Sequence, residues 1–222
     1  MDFALTDKQN MLIAQVKELC ENEIHPYFTS HKTNNREFDL WPIRLLGELN
    51  LVCPTIPQEY GGLGLDIFTT ALVIEEIAAC WPGLAAVIDT NLHAVQPLLL
   101  AGTHEQKEKF LPLLTGPNAG LASFALTETS GGSDINAMQT YVEKVNKCFV
   151  VNGSKEYVLN APLANFITLF ATTNQEKKKS SLRCFIIPRD TKGIKIEKYY
   201  NIAALDYAQL AKLVFDEACL EN

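Results

Sequence analysis

The feature that most constrains the fold is a change of hydrophobic period at Gly116-Pro117-Asn118. Before it, apolar residues recur every three or four positions, and after it they fall in short β-branched or aromatic runs. Thr6-Asp7-Lys8-Gln9 has the spacing of a capping box, and Leu12, Val16, Leu19 and Cys20 then share one helical face. Pro26 is expected to bend or end that helix. Apolar stretches from Phe68 to Ile77 and from Leu84 to Leu100 predict two more helices, stopped at Trp81-Pro82-Gly83 and Gly102. Thr103-His104-Glu105-Gln106 repeats the capping-box spacing ahead of Phe110, Leu111 and Leu114. Beyond the joint come Phe149-Val150-Val151, Tyr157-Val158-Leu159, Phe166 to Phe170, Leu182 to Ile187, Ile194 to Ile196 and Leu213-Val214-Phe215. Asn152-Gly153 reads as a hairpin turn, and Thr172 to Ser181 as an exposed hairpin tip. The expected fold class is therefore α+β. An all-α domain over residues 1–120 precedes a small antiparallel β-barrel or sandwich over residues 121–222.

A length of 222 residues suffices for one large core or two small ones. The net charge of −7 disfavours nucleic acid as a partner. The uninterrupted apolar runs, such as Ala71–Ile74 and Pro97–Ala101, are too short to insert into a bilayer. The opening MDFALTDKQN lacks the basic and apolar segments of a signal or transit peptide. Six cysteines, at 20, 53, 80, 148, 184 and 219, form no CxxC pair, the pattern of scattered reduced thiols in a cytoplasmic protein. Histidines 25, 31, 93 and 104 lie at no metal-ligand spacing, and no metal site is expected.

The segment with most chemical content is Phe124-Ala125-Leu126-Thr127-Glu128-Thr129-Ser130-Gly131-Gly132-Ser133-Asp134. A strand ending near Thr127 and followed by two glycines and a serine offers amides and hydroxyls to an anionic or polar ligand, and the glycines permit close approach. In isolation the same residues also suit a polar surface loop. Gly61, Gly62 and Gly64 read as loop formers, because Ile67 stands where a GxGxxG fingerprint needs glycine. Glu75, Glu76 and Glu128 read as structural.

Four stretches, in order, resemble the acyl-CoA dehydrogenase family: PQEYGGLG (57–64), GTHEQKEKFLPLLTG (102–116), FALTETSGGSD (124–134) and VVNGSKEYVLNA (150–161). The resemblance implies FAD as cofactor. It implies that Phe124, Ala125, Leu126 and Thr127 line the isoalloxazine, and that Tyr157, Val158 and Leu159 pack on its other side. It implies too that Ser133 meets the FAD pyrophosphate and the acyl-CoA substrate. In the family a glutamate removes the α proton of an acyl-CoA thioester while hydride passes from the β carbon to flavin N5. The resemblance places that glutamate in a third, helical domain following the strand that ends Val214-Phe215-Asp216-Glu217, so no catalytic residue is assigned among the 222. The partners it implies are acyl-CoA, a homo-oligomer or a C-terminal helical partner chain, and electron-transfer flavoprotein as acceptor.

Two departures from the family stand out. Leu159 occupies a place commonly held by threonine, whose hydroxyl bonds flavin N5. Ala204, Asp206, Ala208 and Leu210 stand where glycine, arginine, serine and threonine are usual. Two functions are therefore compatible with the sequence: the N-terminal portion or subunit of an active dehydrogenase, incomplete without its C-terminal part, or a non-catalytic binding or scaffold subunit. The retained 124–134 segment favours the first and the departures favour the second.

Overall fold

The structure is a computed structural model that describes residues 4–31, 39–146, 148–174, 176, 178–203, 205 and 207–221. Helix α1 (Asp7–Leu19) opens on the expected capping box: the Thr6 hydroxyl accepts from the Gln9 N–H, and the Gln9 side chain accepts from the Thr6 N–H at 2.9 Å. Pro26 does not end the helix. A π-turn at Cys20–Ile24 widens the ladder, and α2 (His25–Ser30) carries Pro26 in its first turn, where the missing N–H breaks no bond. A short helix that the sequence reading did not anticipate follows, α3 (Trp41–Glu48). The two apolar stretches form α4 (Ile67–Cys80), capped by Asp66, and α5 (Pro82–Ala101). The second capping box opens α6 (His104–Phe110), which tightens into a 3₁₀ turn at Leu111–Leu114.

The second half comprises β1 (Leu121–Ala125), β2 (Tyr141–Val145), β3 (Cys148–Val158), β4 (Ala164–Thr172), β5 (Leu182–Pro188), β6 (Ile194–Tyr200) and β7 (Leu210–Glu221). They build one curled sheet in the order β1-β4-β2-β3-β7-β6, with β5 on the other edge of β4. A short helical turn, α7 (Lys178–Ser181), sits in the β4–β5 connection, whose antiparallel partners Thr172 and Leu182 make it the expected hairpin. The sheet is mixed rather than wholly antiparallel: β1 runs parallel to β4 along its length, and β2 touches β4 in parallel at Tyr141 and Thr172. The β2–β3 hairpin separates β1 from β4 in sequence, which lets the two strands run the same way side by side.

Asn152-Gly153 is not the hairpin turn. It lies within β3, where the register against β7 shifts between Val151 and Gly153. Gly153 has φ +142°, and a Cβ there would stand 2.6 Å from Thr140 Oγ1, so glycine serves a bulge and a close approach. Asn146, with φ +57°, bends the chain where β2 ends.

Helix α5 serves both halves. Its Leu84, Val87 and Ile88 pack with Val16, Ile43, Leu46, Val73 and Ile77, in a core that also takes Leu121, Tyr207 and Ala208. Its Ala94, Val95 and Leu98 pack with Phe110, Leu111, Ala122 and Phe166. Among the described residues it is the one helix long and apolar enough to cross a membrane; half of its apolar window is buried, as a core helix requires. A third core, with Val142, Val151, Val158, Leu169 and Leu213, fills the curled sheet. Polar side chains lock α5 to the sheet. Asn91, fully buried, donates to the Val52 carbonyl at 3.1 Å and accepts from the Ala122 N–H at 2.8 Å. Asn160 donates to the carbonyls of Val87 and Ala122, and Thr168 to that of Ala94 at 2.7 Å. The start of β1 is thereby fixed before the chain enters the loop that follows it.

Candidate functional site

Between β1 and β2 the chain makes a long loop with one 3₁₀ turn, Ile135–Ala137. Glu128 and Gly131 exchange both backbone bonds, N–H to O at 3.1 and 2.9 Å, closing a tight turn whose outer residues Thr129, Ser130 and Gly131 are exposed. Ser133 and Asp134 follow, also exposed, with the Asp134 carboxylate capping the Asn136 N–H. Gly131 has φ +139° and open space around the place of a Cβ, while its N–H and carbonyl are both taken by Glu128. Leu126, Glu128, Gly131, Gly132, Asp134 and Met138 border a shallow surface depression with no enclosed volume.

The loop is anchored from beneath by charge. Glu128 is buried, and its carboxylate accepts from the N–H of Gln139 (2.6 Å), the N–H of Thr140 (2.9 Å) and Lys155 Nζ (2.7 Å). Lys155 is wholly buried and donates also to the Leu126 carbonyl at 3.0 Å. Burial raises the Glu128 carboxyl pKa, yet the Lys155 ammonium and the Thr140 and Gln139 donors outweigh it and hold the group below the usual carboxylate range. Glu128 is thus a structural anion, as its sequence context suggests.

Beside the loop, β3 ends in a strained bend. The Glu156 N–H donates to the Thr127 carbonyl at 2.8 Å, and Tyr157 and Asn160 both adopt left-handed φ, +55° and +61°. The Tyr157 ring, half exposed, packs against Tyr200 at a tilt of 35°, with centroids 4.7 Å apart. The Glu156 carboxylate accepts from Tyr200 Oη and from Thr129 Oγ1, the latter at 2.8 Å, and pairs with Lys212 at 3.4 Å. Burial raises its pKa, but these donors hold it low, while the bond to Glu156 pushes Tyr200 up to about 12. Glu128 and Glu156 are thus both paired, whereas the exposed Asp134 carboxylate lines the depression near the exposed Ser133. The Ser133 hydroxyl and free loop amides can donate to carbonyl or phosphate oxygens such as those of FAD; the Asp134 carboxylate cannot.

The segments the sequence singles out are thus brought together. Leu126 and Thr127 lie against the end of β3, one residue from Tyr157. Ser133 is exposed and follows Gly132, whose Cβ position would lie 3.0 Å from Thr127 Oγ1. Ala125 and Val158 point into the sheet core, so only their backbone can meet a ligand, and Leu159 packs on the helical core. Phe124 is half-buried between His93 and Phe170, with ring centroids at 5.9 and 5.3 Å. Glu75 is exposed and Glu76 half-buried on α4. Of the C-terminal departures, Ala204 and Asp206 lie outside the described residues, while Ala208 and Leu210 are buried. Sequence reasoning missed the anchors Lys155, Glu156, Tyr200 and Lys212. The one local signal was a lysine at an inward position of a strand.

Comparison with known proteins places this geometry. The family model for the acyl-CoA dehydrogenase N-terminal domain matches residues 6–116, and that for the middle domain matches residues 123–218. The chain belongs to the acyl-CoA dehydrogenase family. "Probable acyl-CoA dehydrogenase YngJ" of Bacillus subtilis is 34% identical over 98% of the chain and 57% of its own length. The structure of butyryl-CoA dehydrogenase from Megasphaera elsdenii superposes with a TM-score of 0.90 at 28% identity, over 99% of this chain and 58% of that one. An acyl-CoA dehydrogenase from Bacillus anthracis, solved with FAD, superposes at 0.85 with 26% identity, over 98% of this chain and 37% of that one. The chain thus spans between 37% and 58% of the length of these relatives, and its match is confined to the N-terminal and middle domains.

Proposed function

We propose that this chain forms the FAD-holding N-terminal and middle part of a flavin-dependent acyl-CoA dehydrogenase. It contributes one wall of the site and becomes active only with a C-terminal helical bundle. The observation that carries the reading is the prebuilt but open loop at 126–134, in a chain that spans about 57% of a dehydrogenase 34% identical to it. Ligand pockets usually enclose about 300–1,000 Å³, and the depression here encloses no such volume, so a dinucleotide needs a second wall. In this reading Phe124 to Thr127 meet the isoalloxazine, Tyr157 to Leu159 its other side, and Ser133 the pyrophosphate and acyl-CoA. When bound, FAD supplies the hydride acceptor. The chain's own residues position and donate hydrogen bonds, and the proton-abstracting glutamate belongs to the bundle, carried by a longer chain, a partner chain or a homo-oligomeric assembly. Electron-transfer flavoprotein is the proposed acceptor and the cytoplasm the proposed compartment.

One observation favours a scaffold subunit instead. Leu159 cannot supply a threonine hydroxyl to the flavin, a loss of about 0.5–1.5 kcal/mol that retunes rather than forbids binding.

Titrating FAD against the pure chain tests the proposal. Weak or substoichiometric binding is expected, tightened by a helical-bundle partner and weakened by Ser133→Ala at unchanged stability. Tight one-to-one binding by the chain alone would refute the missing wall, and an inert Ser133→Ala would misplace the site. Mixed anaerobically with FAD and saturated acyl-CoAs, the chain alone should not bleach the flavin; rapid bleaching would move the base into these 222 residues.

A further inference from the structure

Lys155 is a costly residue to place where it stands. It is fully buried in β3, and its ammonium meets two acceptors, the Leu126 carbonyl at 3.0 Å and Glu128 Oε1 at 2.7 Å. A buried ion pair is a weak device for stability, since apolar residues of similar volume commonly do as well. A pair retained at such a place points to a task that apolar side chains cannot perform. The two acceptors show what it is. Leu126 and Glu128 bracket Thr127, and Glu128 in turn holds the N–H groups of Gln139 and Thr140, which close the far end of the loop. Each peptide in this stretch is trans, so a Leu126 carbonyl turned inward to Lys155 turns the Thr127 N–H to the opposite side. A cation on the carbonyl also polarises that peptide and makes its N–H a stronger donor.

We propose that Lys155 is a positioning residue: acting through the Leu126 carbonyl and Glu128, it fixes the 126–140 loop and presents the Thr127 N–H to an electron-rich acceptor of the bound flavin. The loop-fixing part stands on geometry alone; the identity of the ligand rests on the function proposed above. Glu156 reinforces the arrangement by taking the Thr127 carbonyl on its own N–H, so that successive carbonyls are both held by β3.

The test separates positioning from mere stability. Lys155→Met alone strands the Glu128 carboxylate and is expected to melt early. The double variant Lys155→Met/Glu128→Gln removes both charges, keeps an amide oxygen for the Thr140 N–H, and is expected to melt close to the wild type. In that variant, hydrogen exchange of the 126–140 amides should quicken about tenfold or more while β4 and β7 stay protected. FAD affinity should fall about tenfold or more, the loss expected of a charge-assisted hydrogen bond, and the absorbance band of the residual bound flavin should shift. Unchanged loop exchange, or unchanged FAD affinity and spectrum in a folded double variant, overturns the inference. A wild-type chain that takes up no FAD, even with a bundle partner, sinks the functional reading instead, and the exchange measurement then decides the positioning by itself.

Discussion

Asn91 gives the sharpest test of how the site is held. Its side chain spans three segments: it donates to the Val52 carbonyl at 3.1 Å, accepts from the Ala122 N–H at 2.8 Å, and sits 3.4 Å from the Asn160 amide nitrogen, all with no exposed surface. Replacing it with alanine leaves a buried carbonyl and a buried N–H without partners. Each stranded group costs about 1–3 kcal/mol, so Asn91→Ala should cost about 4 kcal/mol. That is a large share of the roughly 5–15 kcal/mol by which a domain is stable. At roughly 2–4 °C per kcal/mol for a chain of this size, Tm should fall by about 8–16 °C. Far-UV circular dichroism melts read the shift directly. Asn10→Ala provides the control, because Asn10 is exposed and its bond to the Leu5 carbonyl is long at 3.4 Å; it should change stability by about 0.5 kcal/mol or less. Asn91→Asp buries an unpaired carboxylate against the Val52 carbonyl and should cost at least as much as Asn91→Ala at neutral pH. A drop of less than about 3 °C in Asn91→Ala would refute the idea that Asn91 is the main polar tie between helices and sheet.

Other outcomes follow from the same geometry. Glu128 has a depressed pKa in the fold, so its stabilisation is present above the unfolded carboxylate value of about 4.3 and is lost as pH falls through the folded value. Melts of Glu128→Gln should therefore start lower at neutral pH and decline less on acidification than wild type; parallel curves would contradict the assignment. Gly153→Ala places a Cβ 2.6 Å from Thr140 Oγ1 at φ +142° and should cost about 1–3 kcal/mol in a urea melt, whereas a surface hairpin turn would tolerate it.

What the sequence made legible was local. Both capping boxes involve groups three residues apart, so Thr6 with Gln9 and Thr103 with Gln106 could be read without knowing the fold. The loop at 124–134 stood out only together with its neighbouring stretches, since alone two glycines and three hydroxyls after a strand also suit a polar surface loop. What stayed hidden depends on contacts remote in sequence. Asn152-Gly153 looks like a turn until Thr140 and β7 close on it. The parallel pairing of β1 with β4 joins Leu121 to Ala164 across an intervening hairpin, which no periodicity records. Lys155 resembles any strand lysine until its partners, 27 and 29 positions away, are known. How Pro26 is accommodated was equally hidden: a π-turn lies just upstream, with Cys20 and Ile24 packed in the helical core.

The anchors have one consequence for how a flavin would be gained. Lys155 and Glu128 hold the loop from below, Glu156 holds Thr127 from the side, and Asn91 fixes the strand that leads into it. A loop tied at both ends by buried charge keeps little conformational freedom to lose when a ligand arrives, so its ordering should add little to the cost of binding. What the 222 residues lack in the proposed function is surface on the open side of the depression. Supplying that surface should raise affinity by burying the ligand, with the exchange protection of residues 126–140 nearly the same before and after the partner joins. A partner that instead sharply increased protection there would show that the loop is not prebuilt, and that the buried ion pair orders it only in the assembled enzyme.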